Sequence, residues 1–381
     1  MKRRVGLILG VSLAALAVTG VRAEDTIKIG GLLETSGFLA SLGQPGLEGA
    51  MLAVEQINAK GGIKGKKLEL VNVNTESDNT KTVSAAKRLI EQEKVVAIVG
   101  PMNSGSSYAA LDTIQKATTP MVSNGGSRGI VLPPEDKQWI FLAPLTDVLV
   151  QSVMMKDMQK KGIKKIALLN ADSPFGTSGR EQLEKHAAGY GIAIAMQQTF
   201  GNADKDMTPQ LTKIRGSDAQ ATVIWATGPG QAISVKNYRQ LGIKHPVYLS
   251  HAANDFNFVR LAGDSANGVL IPSSKIYVID SLPASDPQKP VLQSFVKDYE
   301  AKYKKPPATF AGNGYDATMI IAAAIGKAGT DQAKVREAIE TMKGHVGVTA
   351  VYTYSPKDHF GAQADSVVML TVTDGKFGIA K

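Results

Sequence analysis

The chain has 381 residues, with 43 Lys and Arg against 34 Asp and Glu, 43% hydrophobic residues and no cysteine. A single hydrophobic core rarely grows beyond roughly 250–300 residues, so this length predicts two lobes. The composition excludes a disordered, collagenous or coiled-coil chain. The absence of cysteine excludes thiol catalysis, thiolate zinc sites and a disulfide scaffold.

The first residues have the pattern of an export signal. Lys2, Arg3 and Arg4 precede 16 uncharged residues at 5–20. Small residues follow at the positions that a signal peptidase reads, so we expect cleavage after Ala23 and a signal peptide over residues 1–23. The apolar stretch is short for a membrane span, which needs about 20 residues, and an uncleaved anchor is the alternative.

Cleavage at that point would remove four basic residues and lower the net charge from +9 to +5. The remaining lysines are scattered along the chain and do not form one basic stripe, so they indicate a solvated surface and no nucleic-acid partner.

Beyond residue 25, apolar runs alternate with helical patterns. Residues 26–33 predict a strand, and residues 47–57 carry an apolar stripe at helical spacing that ends at Gly61-Gly62. Further strands are predicted at 68–73, 95–99, 120–122, 166–169, 192–200, 221–226, 247–249, 348–354 and 367–373. Further helices are predicted at 83–90, 106–117, 292–303, 315–327 and 335–342, and others end near 162 and 190. Such strands, separated by helices, predict an α/β fold with parallel sheets covered on both faces.

Small polar loops follow two of the predicted strands. Residues 100–107 and 123–127 would bring hydroxyls and free backbone N–H groups to the carboxyl edge of one sheet. A helix N-terminus there offers unpaired donors and partial positive charge, which suits a carboxylate. The same residue types also serve as ordinary caps and turns, so both interpretations stay open at this point.

Motifs of the common enzyme classes are missing from the sequence. It contains no Walker loop, no dinucleotide fingerprint after the first strand and no nucleophile elbow. No two of the five histidines are spaced i, i+4, so no helical metal site is indicated. We expect no enzyme, no cofactor and no metal. A secreted hydrolase whose triad meets only in space is an alternative.

Many short motifs, in order, resemble the periplasmic branched-chain amino-acid-binding proteins of ABC importers, which are leucine-binding-protein-like. The matching stretches are residues 27–30, 47–66, 85–90, 98–100, 165–168, 262–268, 315–317 and 374–376. The resemblance implies a type I periplasmic binding fold, with two doubly wound parallel-sheet lobes joined by a three-crossing hinge. It places lobe one at residues 24–145 plus 276–350, and lobe two at residues 146–275 plus 351–381.

The resemblance also implies where a ligand binds. It assigns the ligand carboxylate to Ser104 after the third strand and to Gly125 and Ser127 after the fourth, where the residues themselves indicate an anion site. Contacts from the second lobe match Phe175 and Pro229. Leu42 and Phe310 are expected to line the walls of the site.

One position departs from the family pattern. Amino-acid-binding members hold the ligand ammonium with an acidic residue, and His251 occupies that position here. A histidine cannot replace a carboxylate as the partner of an ammonium. Asp255 lies one helical turn away. An amino acid, or an aromatic or other organic acid without the α-ammonium, is therefore the expected ligand, with His251 meeting a second polar group.

The expected function is the extracytoplasmic capture of a small carboxylate-bearing ligand by hinge closure. The resemblance implies a periplasmic monomer that delivers its ligand to the membrane permease of an ABC importer. A ligand-sensing module of the same fold, which signals to a membrane receptor, is the alternative.

Overall fold

The computed structural model describes residues 26–380. The predicted export signal and its cleavage site lie outside the described residues. Within the described part, no helix is both long enough and apolar enough to cross a bilayer.

The described residues form fourteen strands and eleven α-helices, together with short 3-10 turns. The strands are β1 (Ile27–Gly31), β2 (Leu68–Asn72), β3 (Ile98–Val99), β4 (Met121–Ser123), β5 (Ile140–Leu142), β6 (Lys165–Asp172), β7 (Ala193–Gly201), β8 (Ala221–Trp225), β9 (Val247–Leu249), β10 (Leu270–Ser273), β11 (His345–Val346), β12 (Val351–Tyr352), β13 (Val368–Thr373) and β14 (Lys376–Ile379). The helices are α1 (Ala40–Ala59), α2 (Asn79–Glu91), α3 (Ser104–Ala117), α4 (Asp147–Lys160), α5 (Pro174–His186), α6 (Thr208–Arg215), α7 (Pro229–Gln240), α8 (Phe256–Ala262), α9 (Gln288–Tyr303), α10 (Thr309–Ala328) and α11 (Gln332–Glu340).

The first sheet has five parallel strands in the order β2-β1-β3-β4-β5. Its central strands bury continuous apolar runs, because helices cover both faces. Ile29, Val99, Val122 and Phe141 are fully buried in this layer. We call this sheet with helices α1–α3 and α9–α11 the first lobe.

The second sheet has seven strands in the order β14-β13-β10-β9-β8-β6-β7. The five strands β6–β10 run parallel, and β13 and β14 add an antiparallel edge. Its core includes the fully buried side chains of Leu169, Ile224 and Leu249. We call this sheet with helices α4–α8 the second lobe.

The chain passes between the two lobes three times, after β5, after β10 and after β12. Asp147, at the first passage, accepts hydrogen bonds from the backbone N–H of Arg128 in the first lobe and from the hydroxyl of Ser178 in the second. Burial raises the pKa of Asp147, and the bond from Ser178 opposes that rise. One carboxyl group therefore ties both lobes to the first crossing.

The predicted lobe boundary at residue 350 stays a prediction, but the residues just beyond it pack against the first sheet. The hydroxyls of Tyr352 and Tyr354 donate to the carbonyls of Ala143 and Leu142, at the end of β5. The return to the second lobe is completed only at β13.

Several local predictions differ from the structure in their bounds, and two of them have a clear physical reason. Helix α1 begins at Ala40 and not near residue 47, and its first turns include glycines and Pro45, which hid them from the helical pattern. The strand predicted at 348–354 is reduced to the two residues of β12. The backbone N–H groups of Val348 and Thr349 instead donate to the carboxylate of Asp316, at 2.8 and 2.7 Å.

Helices α1 and α10 approach closely because glycines face carbonyl oxygens at the contact. A side-chain carbon on Gly314 would lie 2.0 Å from the carbonyl oxygen of Gly46, and one on Gly49 would lie 1.9 Å from that of Ala311. This contact sets where the first turns of both helices meet the cleft between the lobes.

Gly314→Ala is expected to lower the free energy of unfolding by about 1–3 kcal/mol, because the added methyl group meets backbone that cannot move aside cheaply. Gly326→Ala on the same helix meets nothing within 4 Å and should stabilise by roughly 0.5–1 kcal/mol. Urea unfolding of the two variants measures both. Equal effects in the two would contradict the close approach.

Candidate functional site

A cavity of about 220 Å³ lies between the lobes, at the carboxyl ends of the strands of both sheets. Ligands of open parallel sheets bind at such edges, where loops and helix N-termini gather. Its lining consists of Phe38, Leu39, Leu42, Ser77, Asn79, Met102, Asn103, Ser104, Gly105, Asn124, Gly126, Pro144, Ser173, Pro174, Phe175, Asn202, Thr227, His251, Ala252, Phe310 and Asn313.

The N-terminus of α3 presents one wall of the cavity. Asn103 caps this helix by accepting a 2.8 Å hydrogen bond from the backbone N–H of Ser106. Ser104, the first helical residue, is 3% exposed, and its hydroxyl has no hydrogen-bond partner among the described residues. A buried hydroxyl without a partner, beside the positive end of a helix, suits an anionic acceptor.

Glu34 supports this wall from behind. Its carboxylate accepts hydrogen bonds from the side chain of Asn103 and from the backbone N–H of Met102, at 3.1 Å for the latter. The residue is fully buried, and burial raises its pKa while these bonds oppose the rise. Glu34 does not line the cavity, so it orients the cap and is not itself exposed to a ligand.

The loop after β4 presents a second group of polar atoms. Asn124 is 3% exposed, and neither the oxygen nor the nitrogen of its side-chain amide has a partner among residues 26–380. The next residue, Gly125, donates its N–H to the hydroxyl of Ser123 at 3.1 Å. Asn124 therefore has hydrogen-bonding capacity free for a ligand, whereas the N–H of Gly125 is already used.

The second lobe supplies an aromatic wall. Phe175 stacks on Trp225 with ring centroids 5.5 Å apart, and His251 meets both rings edge-on at 5.4 and 5.9 Å. Phe175 stands in the first turn of α5, which Ser173 caps and Pro174 opens. Phe175 and His251 line the cavity, and Trp225 holds them from behind.

The two lobes touch across the cavity at Gly126. A side-chain carbon at this position would lie 2.7 Å from Nε2 of His251 and 3.1 Å from the ring of Phe175. At the outer edge, Phe38 of the first lobe lies close to Gly228 of the second. The cleft is therefore closed in this structure.

Burial controls the charge state of His251. The ring is 9% exposed, and burial alone lowers its pKa to about 4, so the imidazole is neutral near pH 7. Its Nδ1 has no hydrogen-bond partner in the described part of the chain. His251 is thus a neutral residue of the cavity lining with one unpartnered ring nitrogen.

Asp255 is not in the cavity lining. Its carboxylate accepts a 2.7 Å hydrogen bond from the backbone N–H of Phe258 and caps α8. Burial raises its pKa to about 6, and the backbone bonds oppose that rise. The lining contains no Lys, Arg, Asp or Glu. No group of three His, Asp or Glu side chains among residues 26–380 is arranged to hold a metal ion.

The profile of the family described as periplasmic binding protein matches residues 26–376 of the chain.

The chain belongs to the periplasmic binding protein family.

Its relatives include branched-chain amino-acid-binding proteins. The Leu/Ile/Val-binding protein homolog 7 of Brucella abortus is 26% identical over 97% of this chain and 94% of its own length. The leucine-, isoleucine-, valine-, threonine- and alanine-binding protein of Pseudomonas aeruginosa is 27% identical over 88% of this chain and 90% of its own length.

A solved structure of a branched-chain amino-acid-binding protein is also similar to this chain. The branched-chain amino acid transporter substrate binding protein LivJ of Streptococcus pneumoniae, in complex with isoleucine, superposes with a TM-score of 0.81 at 28% identity. The match covers 94% of this chain and 99% of that one. The predicted family and the predicted type I periplasmic binding fold are both confirmed.

Five of the eight residues predicted for the site line the cavity of this periplasmic binding protein, and three do not. Leu42, Ser104, Phe175, His251 and Phe310 line it. Gly125 and Ser127 are behind the lining, and Pro229 is next to Gly228 at the outer edge. Ligand contact by any of the eight stays a prediction.

Several lining residues were missed by sequence reasoning. Asn124 belongs to the polar loop at 123–127, but the family resemblance assigns ligand binding in that loop to Gly125 and Ser127. Asn313 and Phe38 gave no indication, since a helical asparagine or an exposed phenylalanine has no distinguishing pattern. Only the tertiary structure shows that the side-chain amide of Asn124 has no partner among the described residues.

The low pKa of His251 predicts a pH-dependent stability. In the unfolded chain an ordinary histidine takes up a proton near pH 6.5, whereas the folded chain resists it until about pH 4. The free energy of unfolding of the wild type, relative to His251→Gln, should therefore fall by about 3 kcal/mol between pH 7 and pH 4.

Chemical denaturation of both proteins at the two pH values measures this difference. Asp255 contributes with the opposite sign, because its pKa is raised, but it is present in both proteins and its effect cancels. A difference that does not change with pH would show that His251 titrates as an exposed histidine does.

Proposed function

We propose that this periplasmic binding protein captures a small carboxylate-bearing ligand in the cavity between its lobes. The observation that carries the proposal is the buried, unpartnered hydroxyl of Ser104 at the N-terminus of α3. A ligand carboxylate there would accept charge-assisted hydrogen bonds from that hydroxyl and from the first-turn N–H groups. No lysine or arginine is needed, since the helix end supplies the positive potential.

The role that follows is transport. We infer that the exported chain works in the periplasm, binds without chemical conversion, and delivers its ligand to the membrane permease of an ABC importer. The first lobe would receive the carboxylate, and Phe175 and His251 of the second lobe would then close over the ligand. A ligand favours the closed state only through contacts that need both lobes, and the closed cavity has lining residues from both.

The ligand preferred by this site is an acid without an ammonium group. An ammonium taken out of water needs a carboxylate partner, and the cavity lining has none. The nearby ionisable side chains do not supply this partner. Asp255 caps α8 and Glu34 accepts the N–H of Met102, both outside the lining, and His251 is neutral. The relatives named for leucine, isoleucine and valine therefore share the fold, while we expect this chain to favour another acid.

Ser104→Ala is expected to weaken binding by about 1–3 kcal/mol, because the carboxylate loses one donor in a buried site. Thermal-shift screening of benzoate, 3-methylbutanoate and isoleucine selects the probe, and isothermal titration calorimetry measures its dissociation constant. Thr113→Ala, in the body of the same helix and outside the cavity lining, is the matched control and should bind as the wild type does. Unchanged affinity in Ser104→Ala would remove this residue from the site.

A further inference from the structure

A carboxylate alone would leave some polar atoms of the cavity lining without hydrogen-bond partners. Asn124 has both a donor and an acceptor without partners, and Nδ1 of His251 has none either. A carboxylate offers acceptors only, so it can receive the amide N–H of Asn124 but cannot supply a hydrogen to its oxygen. Exchanging the oxygen and nitrogen positions of the amide changes nothing, because both atoms are unpartnered.

These two residues come from opposite lobes, and both line the cavity. Asn124 follows β4 in the first lobe, and His251 follows β9 in the second. Gly126, two residues beyond Asn124, is the point where the backbone of the first lobe meets the His251 ring. A single ligand group between Asn124 and His251 would therefore be buried on closure, where an unmade hydrogen bond is costly.

The charges around this position restrict what that group can be. An ammonium would meet only the neutral Asn124 and His251, with no anion in the lining. A second carboxylate would bring another acceptor to the acceptor oxygen of Asn124. A hydroxyl donates one hydrogen and also accepts, so it can donate to the asparagine oxygen while it accepts from the Nδ1–H tautomer of the neutral imidazole.

Apolar side chains also line the cavity, so part of the ligand can be hydrocarbon. Leu42 and Phe310 from the first lobe and Phe175 from the second line the cavity with carbon and are each less than 10% exposed. A hydrocarbon skeleton between these walls, with a carboxylate at one end, matches the distribution of polar and apolar atoms.

We propose that the ligand is a hydroxy acid, in which a carboxylate meets Ser104 and an uncharged hydroxyl on an apolar skeleton meets Asn124 and His251. This inference rests on the proposed function, because the carboxylate must first be received at α3. Asn124 then selects among acids, since it distinguishes a hydroxylated ligand from the same skeleton without the hydroxyl.

The test compares probes that differ by one group. The pairs are benzoate with 4-hydroxybenzoate, and 3-methylbutanoate with 2-hydroxy-3-methylbutanoate, with valine added as the ammonium analogue of the second skeleton. Isothermal titration calorimetry with the mature chain gives each dissociation constant. The hydroxylated member of a binding pair should bind about tenfold or more tightly than its partner, because the analogue leaves buried polar atoms unpaired.

Two variants assign that preference to Asn124. Asn124→Leu keeps a similar volume without polar atoms, and the affinity ratio within the pair should fall below about threefold. Asn124→Asp keeps the shape and supplies a carboxylate, so the ratio of valine affinity to hydroxy-acid affinity should rise. The melting temperature of each variant, measured without ligand, shows whether it folds, and Asn124→Asp tests the assignment if Asn124→Leu does not.

Three outcomes of these measurements would overturn the inference. Equal affinity within both pairs overturns the hydroxy-acid inference and leaves the capture of a carboxylate standing. Valine binding more tightly than both acids of its skeleton overturns the inference as well. Failure of all five probes to bind overturns the proposed function together with it.

Discussion

Unpaired polar atoms are costly inside a protein, and four of them belong to residues that line one small cavity between the lobes of this chain. They are the hydroxyl oxygen of Ser104, the two amide atoms of Asn124 and Nδ1 of His251. Most buried polar groups find partners within the fold, so a cluster of unpartnered ones at a single place indicates that a ligand satisfies them. Both the choice of site and the chemistry inferred for the ligand depend on this constraint.

The architecture explains why these atoms can be left unpartnered. The N–H of Ser106, in the first turn of α3, is satisfied by the Asn103 cap, and that cap is held by the buried carboxyl group of Glu34. Asn103 therefore has its polar atoms engaged, while Ser104, one residue further on, does not. On the other side, Trp225 and Phe175 stack on each other and fix the His251 ring by edge contacts, which leave its Nδ1 without a partner.

Closure also depends on small residues. Gly126 lets the backbone of the first lobe reach His251, and Gly314 and Gly49 let α10 approach α1 closely enough to set the opposite wall. A larger side chain at Gly126 would hold the lobes apart, because its first carbon would already overlap the imidazole. The shape of the cavity thus depends on the absence of side chains at these glycines as well as on the side chains that line it.

The sequence by itself determined the alternation of strands and helices and the α/β class, because buried parallel strands and covering helices leave periodic apolar patterns that need no knowledge of distant contacts. The chain length indicated two lobes, and the family came from the resemblance of many short motifs, in order, to its known members. The sequence also pointed to the two loops, after β3 and β4, that carry Ser104 and Asn124. Only the tertiary structure decided which atoms of those loops remain free: the N–H of Gly125 is taken by Ser123, Asp255 is taken by α8, and Asn124 is left with no partner. Hydrogen-bond satisfaction is a property of neighbours brought together from separate parts of the chain, so local spacing cannot reveal it.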